Sequence, residues 1–171
     1  MSTKKDKDKE KNIKISPIIV GTCLCKRKIE EITIPYYEKI INEYPNLKFE
    51  YIEKEGGEFT SDTHNKLLIT IKDKYKNKIK GVVIIGSDDI VSLSALEFYN
   101  NLSNKEANVI HGIDRLYVYD VFNNNMYLAS KTNRFKTGAG RFYPVDLLKK
   151  IDYILYKPGI KNGLDHNAYE L

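Results

Sequence analysis

Gly81-Val82-Val83-Ile84-Ile85-Gly86, followed by Ser87-Asp88-Asp89, is the stretch whose reading decides the fold. Four consecutive β-branched residues between glycines match a strand that is covered on both faces in a parallel sheet. Ser87, Asp88 and Asp89 then supply side-chain oxygens suited to a helix N-cap. The helix they would open carries Val91, Ala95, Leu96, Phe98, Tyr99 and Leu102. Upstream, Leu67, Leu68, Ile71 and Tyr75 form one helical stripe, with Ser61 or Asp62 placed to cap it. Lys78 and Lys80 near its end would complement the helix dipole. Before it, Gly56-Gly57 breaks the chain, and Leu47, Phe49 and Tyr51 alternate with Lys48 and Glu50. That alternation predicts a strand with one wetter face, near a sheet edge.

The same rhythm extends to the start of the body. Tyr37, Ile40, Ile41 and Tyr44 recur at helical spacing, with Pro35 suited to a first turn and Pro45-Asn46 as the stop. Ile15-Ser16-Pro17-Ile18-Ile19-Val20-Gly21 precedes them as another apolar strand, Pro17 being tolerable near its start or on an edge. Three strand–helix pairs in succession predict right-handed βαβ units. Downstream the rhythm changes. Leu116–Val121 and Met126–Ala129 flank Phe122-Asn123-Asn124-Asn125, an antiparallel hairpin whose asparagines tolerate the positive φ of a turn. Gly138-Ala139-Gly140 leads into Arg141-Phe142-Tyr143, with the glycines read as allowing close backbone packing. Pro144 then opens a helix through Val145, Leu147, Leu148, Ile151, Ile154 and Leu155, closed by Lys157-Pro158-Gly159.

The expected fold is therefore α/β: a three-layer sandwich with a mainly parallel sheet of about four strands, helices on both faces, and an antiparallel β-hairpin. One domain over residues 15–158 is expected, between a charged tail at 1–14 and a C-terminal tail at 159–171. At 171 residues the chain suffices for one self-supporting core. The formal charge is +5, of which the tail's six lysines against three acids account for +3. The folded body then has no concentrated basic patch, which argues against nucleic acid as the partner. No apolar run reaches the ~18 residues that span a bilayer, and the charged start lacks the apolar core of a secretory signal, so no membrane association is expected. Two cysteines, Cys23 and Cys25, make no disulfide framework, so reduced thiols and a cytoplasmic location are expected.

Ligands of open α/β sheets sit beyond the carboxyl ends of the strands. Gly21–Cys25 and Gly86–Asp89 are placed there. Cys23 is the candidate nucleophile, since a helix N-terminus and the neighbouring Lys26, Arg27 and Lys28 would lower a thiol's pKa. Only three residues separate it from Arg27, however, where a phosphatase loop has five. Cys-Leu-Cys has no second Cys or His pair to complete a metal knuckle. Asp88 and Asp89 are natural capping residues, and a hard cation is the other ligand they offer. Their charge opposes a phosphate at that spot. Gly138–Arg141 is too short for a dinucleotide fingerprint. His64, His111 and His166 stand singly and read as surface residues, with His111-Gly112 the one of interest. No cofactor is expected.

From Gly81 to about Tyr156 the order of elements resembles the non-catalytic first subdomain of gingipain-type, caspase-like cysteine peptidases. The resemblance rests on Val82-Val-Ile-Ile-Gly-Ser-Asp88, on the Tyr-rich Tyr117-Val-Tyr-Asp120, and on Gly140-Arg-Phe-Tyr-Pro144 leading into Val145–Ile151. It covers under half of the chain. In that family the catalytic His and Cys lie in a second subdomain, beyond the helix near which this chain ends. His111-Gly112 is similar to the caspase His-Gly pair, but no cysteine follows residue 25. The resemblance thus implies a non-catalytic hemidomain. The functional expectation is an interaction or structural module in a larger assembly, with a protein partner or further copies of itself; a virus or phage particle component would fit. The enzymatic alternative is half of a split cysteine peptidase, or a hydrolase using Cys23.

Overall fold

The computed structural model describes residues 16–103, 105–120, 122–129 and 138–161. The charged tail at 1–14, His166 and residues 162–171 of the expected C-terminal tail lie outside the described residues. The elements run β1 Ile18–Leu24, α1 Glu30–Glu43, β2 Leu47–Glu53, α2 Thr60–Tyr75, β3 Gly81–Ile85 and α3 Leu93–Asn101, then a 3₁₀ turn at Glu106–Asn108. They continue with β4 Leu116–Asp120, β5 Asn125–Ala129, β6 Arg141–Pro144 and α4 Val145–Lys150. The main sheet has the order β2-β1-β3-β6, with β1 parallel to β2 and β3, and β6 antiparallel to β3. β4 and β5 form a separate antiparallel ribbon. The α/β architecture expected from the sequence is present, down to β2 on an edge and the ribbon outside the main sheet.

Strand alternation sorts the core into two layers. Ile19 and Cys23 of β1, Val82 and Ile84 of β3, and Tyr143 of β6 pack against Leu67, Leu68 and Ile71 of α2 and Leu148 of α4. Ile18, Val20, Val83, Ile85 and Phe142 face the other way, against Tyr37 and Ile40 of α1 and Leu96 and Tyr99 of α3. All of these are buried, and each large aliphatic contributes roughly 1.5–3 kcal/mol by leaving water. Both faces of β3 are thus covered, which is why Gly81–Ile85 reads as an unbroken apolar run. At Gly21 a Cβ would stand 3.2 Å from Leu67 Cδ2, so the glycine lets α2 lie close on the sheet.

Several boundaries differ from the sequence expectation, each for a tertiary reason. β1 runs three residues further than expected, and Pro17 stands just before it, its carbonyl accepting Lys80 N–H at 2.8 Å. Pro35 lies inside α1, not in its first turn. Ser61 and Asp62 do not cap α2, which begins at Thr60. They bind the chain end instead: Ile160 N–H donates to Ser61 Oγ at 2.9 Å and Gly159 N–H to Asp62 Oδ1 at 3.1 Å. Ser92, not Ser87-Asp88-Asp89, caps α3, accepting from Ala95 N–H. Lys80 serves a different helix from the one expected: its ammonium donates to Asn100 and Leu102 O, at the carboxyl end of α3. α4 ends at Lys150, because Asp152 and Tyr153 adopt positive φ of 49° and 62°.

Candidate functional site

The chain leaves β1 through α1 toward β2 on one side, and leaves β3 through α3 toward β6 on the other. The crevice between the carboxyl ends of β1 and β3 is therefore a topological switch point, where open α/β sheets bind ligands. The loops 25–29 and 86–92 border it. Lys26 turns the first loop with a φ of 60°, and Glu30 then folds its carboxylate back over the loop, accepting Cys25 N–H at 2.6 Å. Burial by itself would raise the Glu30 pKa. Hydrogen bonds from Cys25, the Ser87 hydroxyl and the amides of Arg27 and Lys26 outweigh it and hold the carboxyl below its usual range. The amides that could cradle an anion at this strand end are thus turned onto the chain's own carboxylate.

The second loop is closed in the same way. Asp89 Oδ2 accepts Gly86 N–H at 2.8 Å. The Tyr37 hydroxyl donates to Asp89 O at 3.3 Å and accepts Val91 N–H at 2.8 Å. Asp88 forms an ion pair with Arg27 across the crevice. The two candidate cation ligands thus have separate roles, one bracing its own turn and one joining the two loops. Among the described residues no group of three or more His, Cys, Asp or Glu could hold a metal ion. Outside this closure lies a shallow depression of 630 Å³, bordered by Lys26, Arg27, Lys28, Glu31, Ile34 and Pro35.

Cys23 lies at the end of β1, but its side chain belongs to the layer under α2 and is 3% exposed. Burial, reinforced by Cys25 and Glu58 and opposed by Lys54, pushes its thiol far up, so the thiolate needed for attack is absent at neutral pH. Both cysteines are free thiols. His111 bridges to Phe142 and lies against the rings of Phe98, Tyr99 and Phe142, the α1/α3 layer, with Nε2 donating to Glu106 O at 2.8 Å. Thiol and imidazole are on opposite faces of the sheet. No thiol–imidazole pair forms from them.

His64 departs from the sequence expectation. It is buried, edge-on to Tyr156, and its Nδ1 donates to Thr60 O at 2.8 Å. Burial lowers its pKa, with Lys54 adding to the effect and the Thr60 bond opposing it. The sign of the consequence follows from linkage. Above the unfolded value near 6.5 both states hold neutral imidazole, whereas below it the unfolded chain takes up a proton that the native state refuses. Stability should therefore fall as pH drops from 7 to 5.5, by at most about 1.4 kcal/mol per unit from this group. Glu30 acts lower, its contribution being lost only as pH passes through its depressed folded pKa. Urea unfolding of the wild type and of His64→Asn at the two pH values should show a flatter pH dependence in the variant. Equal slopes would remove His64 from the account.

The β4–β5 ribbon is the surface feature most unlike the rest of the molecule. Its register pairs Tyr117 with Leu128, Val118 with Tyr127 and Tyr119 with Met126. Tyr117, Tyr119, Met126 and Leu128 share one face, while Val118 and Tyr127 lie on the other. All six are between 49% and 65% exposed, and Phe122 at the tip is fully exposed. None belongs to either core layer. The turn is well tied: Asp120 Oδ1 accepts Phe122 and Asn123 N–H at 3.0 and 3.2 Å, Asn123 Nδ2 donates to Asp120 Oδ2 at 2.7 Å, and Asn124 takes a φ of 52°. Asp120 is the sole charge in the two strands. The sequence foretold the hairpin, and among the described residues both its faces are uncovered; the continuous Leu-Tyr-Val-Tyr and Met-Tyr-Leu runs are the signal for it. No helix among the described residues is long and apolar enough to cross a membrane. No protein-family model, no curated protein and no solved structure matches this chain.

Proposed function

We propose that this chain is a non-catalytic α/β module that docks through its β4–β5 ribbon into a larger assembly, of which a virus or phage particle is one kind. The observation that carries the reading is the ribbon's apolar character on two exposed faces. A lone two-stranded ribbon is marginal in water, and natural antiparallel sheets keep the solvent face polar. A tied turn on an uncovered apolar ribbon is economical only if something covers it. Support also comes from the switch point, where Glu30 takes up the loop amides that could hold an anion and Arg27 and Asp88 are paired with each other. Of the enzymatic alternatives, a Cys23 hydrolase draws on a thiol that is buried and protonated, while half of a split cysteine peptidase would take its catalytic His and Cys from a second chain.

Crosslinking and capture from native lysate tests the reading when wild type and a Tyr117→Lys/Leu128→Lys variant are compared side by side. Captured protein should be lost with the variant, while circular dichroism shows the body intact. Equal capture by both would remove the ribbon from the function. Iodoacetamide labelling at pH 7 bears on the alternative: Cys23 should react far more slowly than a peptide cysteine until urea unfolds the chain. Rapid native labelling of Cys23 would reverse the preference.

A further inference from the structure

We propose that residues 151–160 form a two-state element: in the ground state a strap docked on the start of α2, and in a minor state a continuation of helix α4 that lifts this cover. The element is remote from the ribbon in sequence and independent of its docking role.

The sequence of this region encodes more helix than the ground state contains. Leu148, Ile151 and Leu155 recur at helical spacing, and from Val145 no glycine or proline intervenes until Pro158. Local pattern alone would carry the helix to about residue 156, just short of the residue that precedes the proline. α4 instead ends at Lys150. Its stop is a turn in which Tyr153 N–H donates to Leu148 O at 2.8 Å, the bond of a cap whose left-handed position usually belongs to glycine. Here Asp152 and Tyr153 adopt that conformation, with φ of 49° and 62°. Each non-glycine residue there is disfavoured about 5–30-fold, and a bulky ring is the rarer occupant. Local propensity and tertiary structure thus conflict over these residues, which is the mark of a strained or functional segment.

The same backbone donors have two sets of partners. In a continuing helix Leu155 N–H would donate to Ile151 O and Tyr156 N–H to Asp152 O. In the strap both donate to Asn65 Oδ1, at 3.0 and 3.1 Å. Further along, Asp62 Oδ1 and Ser61 Oγ accept Gly159 N–H and Ile160 N–H, and the Tyr153 hydroxyl donates to Asn77 Oδ1 at 2.7 Å. Neither arrangement leaves the two shared donors unpaired, so the element has two discrete states where simple fraying would have one. Burial sets their order. The strap buries Tyr153, Leu155 and Tyr156. A prolonged α4 would keep Leu155 in line with Leu148, but it would turn Tyr153 away from the core and take Tyr156 from the His64 ring. The helix is therefore the minor state, within the roughly 0.1–10% from which conformational switches draw. Its formation uncovers Ser61, His64 and Asn65, which are buried in the ground state.

Asp152 is the position at which to test this. Its side chain is exposed and pairs with Lys72 at 2.5 Å, so Asp152→Gly and Asp152→Ala lose that ion pair alike and differ in backbone preference. Glycine accepts the left-handed turn and weakens a helix, and alanine does the reverse. Exchange NMR on the full chain reads minor states on the microsecond-to-second scale of such openings. Asp152→Ala should populate the minor state on the order of 50-fold more than Asp152→Gly, with the wild type between them. The minor state's Cα chemical shifts over residues 152–155 should be helical. Hydrogen exchange of the Ile160 amide, which Ser61 holds, should speed up by the same factor. Equal minor-state populations in the two variants overturn the proposal. So does a minor state with random-coil shifts over residues 152–155, because the strap then frays without a second structure to adopt. An Asp152→Ala chain with no exchange over residues 151–160 overturns it as well.

Discussion

Gly81→Ala should lower stability by about 3 kcal/mol, at the upper end of what overpacking costs, despite adding a single methyl group. A Cβ at Gly81 would stand 2.5 Å from Phe142 Cε2 and Cζ and 2.5 Å from Tyr143 O. Contacts that short do not persist, so something must move. The ring is stacked on Tyr99 with centroids 5.5 Å apart and is fully buried, and the carbonyl is backbone in a paired strand. Neither is the free end of a flexible side chain. Gly81 also faces Ile18 in the parallel register, so a shift of β3 would disturb β1 as well. Thermal unfolding should show a midpoint lower by roughly 6–12 °C, given 2–4 °C per kcal/mol for a chain of this size. Gly81→Ala combined with Phe142→Leu should recover part of the loss but not all, because the Tyr143 carbonyl remains. A variant with the wild-type midpoint would mean that β3 and β6 are not held at this spacing.

The parts of the fold that were legible in the sequence are those where one residue pattern admits one environment. Val82–Ile85 can be satisfied only between two covered faces, and the fold puts α2/α4 on one side and α1/α3 on the other. Leu47, Phe49 and Tyr51 alternating with charges can be satisfied only at an edge, and β2 is one. Helix starts were less legible, because several nearby residues have equal capping chemistry. Ser87, Asp88, Asp89 and Ser92 all carry suitable oxygens. Ser92 is selected because the Tyr37 hydroxyl, some 50 residues away in sequence, pins Asp89 and Val91 in a turn. Pro35 misled for a related reason: its missing N–H would have paired with the Glu31 carbonyl, and both residues are exposed, so that carbonyl is open to solvent and the lost bond is tolerated.

The candidate site was legible as a place and not as a state. Topology alone puts Gly21–Cys25 and Gly86–Asp89 at the strand ends, and the two loops do meet there, through Arg27 and Asp88. What the sequence could not convey is direction. Cys23 and Thr22 are adjacent, yet Cys23 points under α2 and Thr22 to the other layer by the period of a strand, and one step of register would exchange them. Glu30 reads as an ordinary first-turn acid favoured by the helix dipole. Only the backward turn at Lys26 brings its carboxylate over the loop amides. The first turns of α2 misled in the opposite sense: Ser61, Thr63, His64 and Asn65 look like a wet helix face, and all four are buried. Their cover is the segment from Leu155 to Ile160, whose arrival no local pattern announces.

One side chain makes three of the bonds that hold that cover, and Asn65→Ala should accordingly be among the most damaging polar substitutions in the molecule. Asn65 Oδ1 accepts Leu155 N–H at 3.0 Å and Tyr156 N–H at 3.1 Å, while its Nδ2 donates to Tyr156 O at 2.8 Å. All three bonds are buried, so alanine removes three buried hydrogen bonds from the backbone of Leu155 and Tyr156 at once. Each buried bond lost costs about 1–3 kcal/mol, and allowing for partial relaxation the total loss should be about 3–5 kcal/mol. Asn65→Asp separates the contributions. A carboxylate still accepts from Leu155 and Tyr156 N–H, but it turns an oxygen toward Tyr156 O where a donor stood, and it buries a charge. It should therefore rescue alanine poorly near pH 7 and better in mild acid, where a protonated carboxyl can donate to that carbonyl. The damage should also be directional. With Tyr156 released, His64 loses its ring neighbour and Ser61 and Asp62 lose the strap they hold, so hydrogen exchange should rise first over the start of α2 and residues 153–160. Exchange rising evenly over β1 and β3 instead would mean that this strap is an integral part of the core and not a lid stapled onto it.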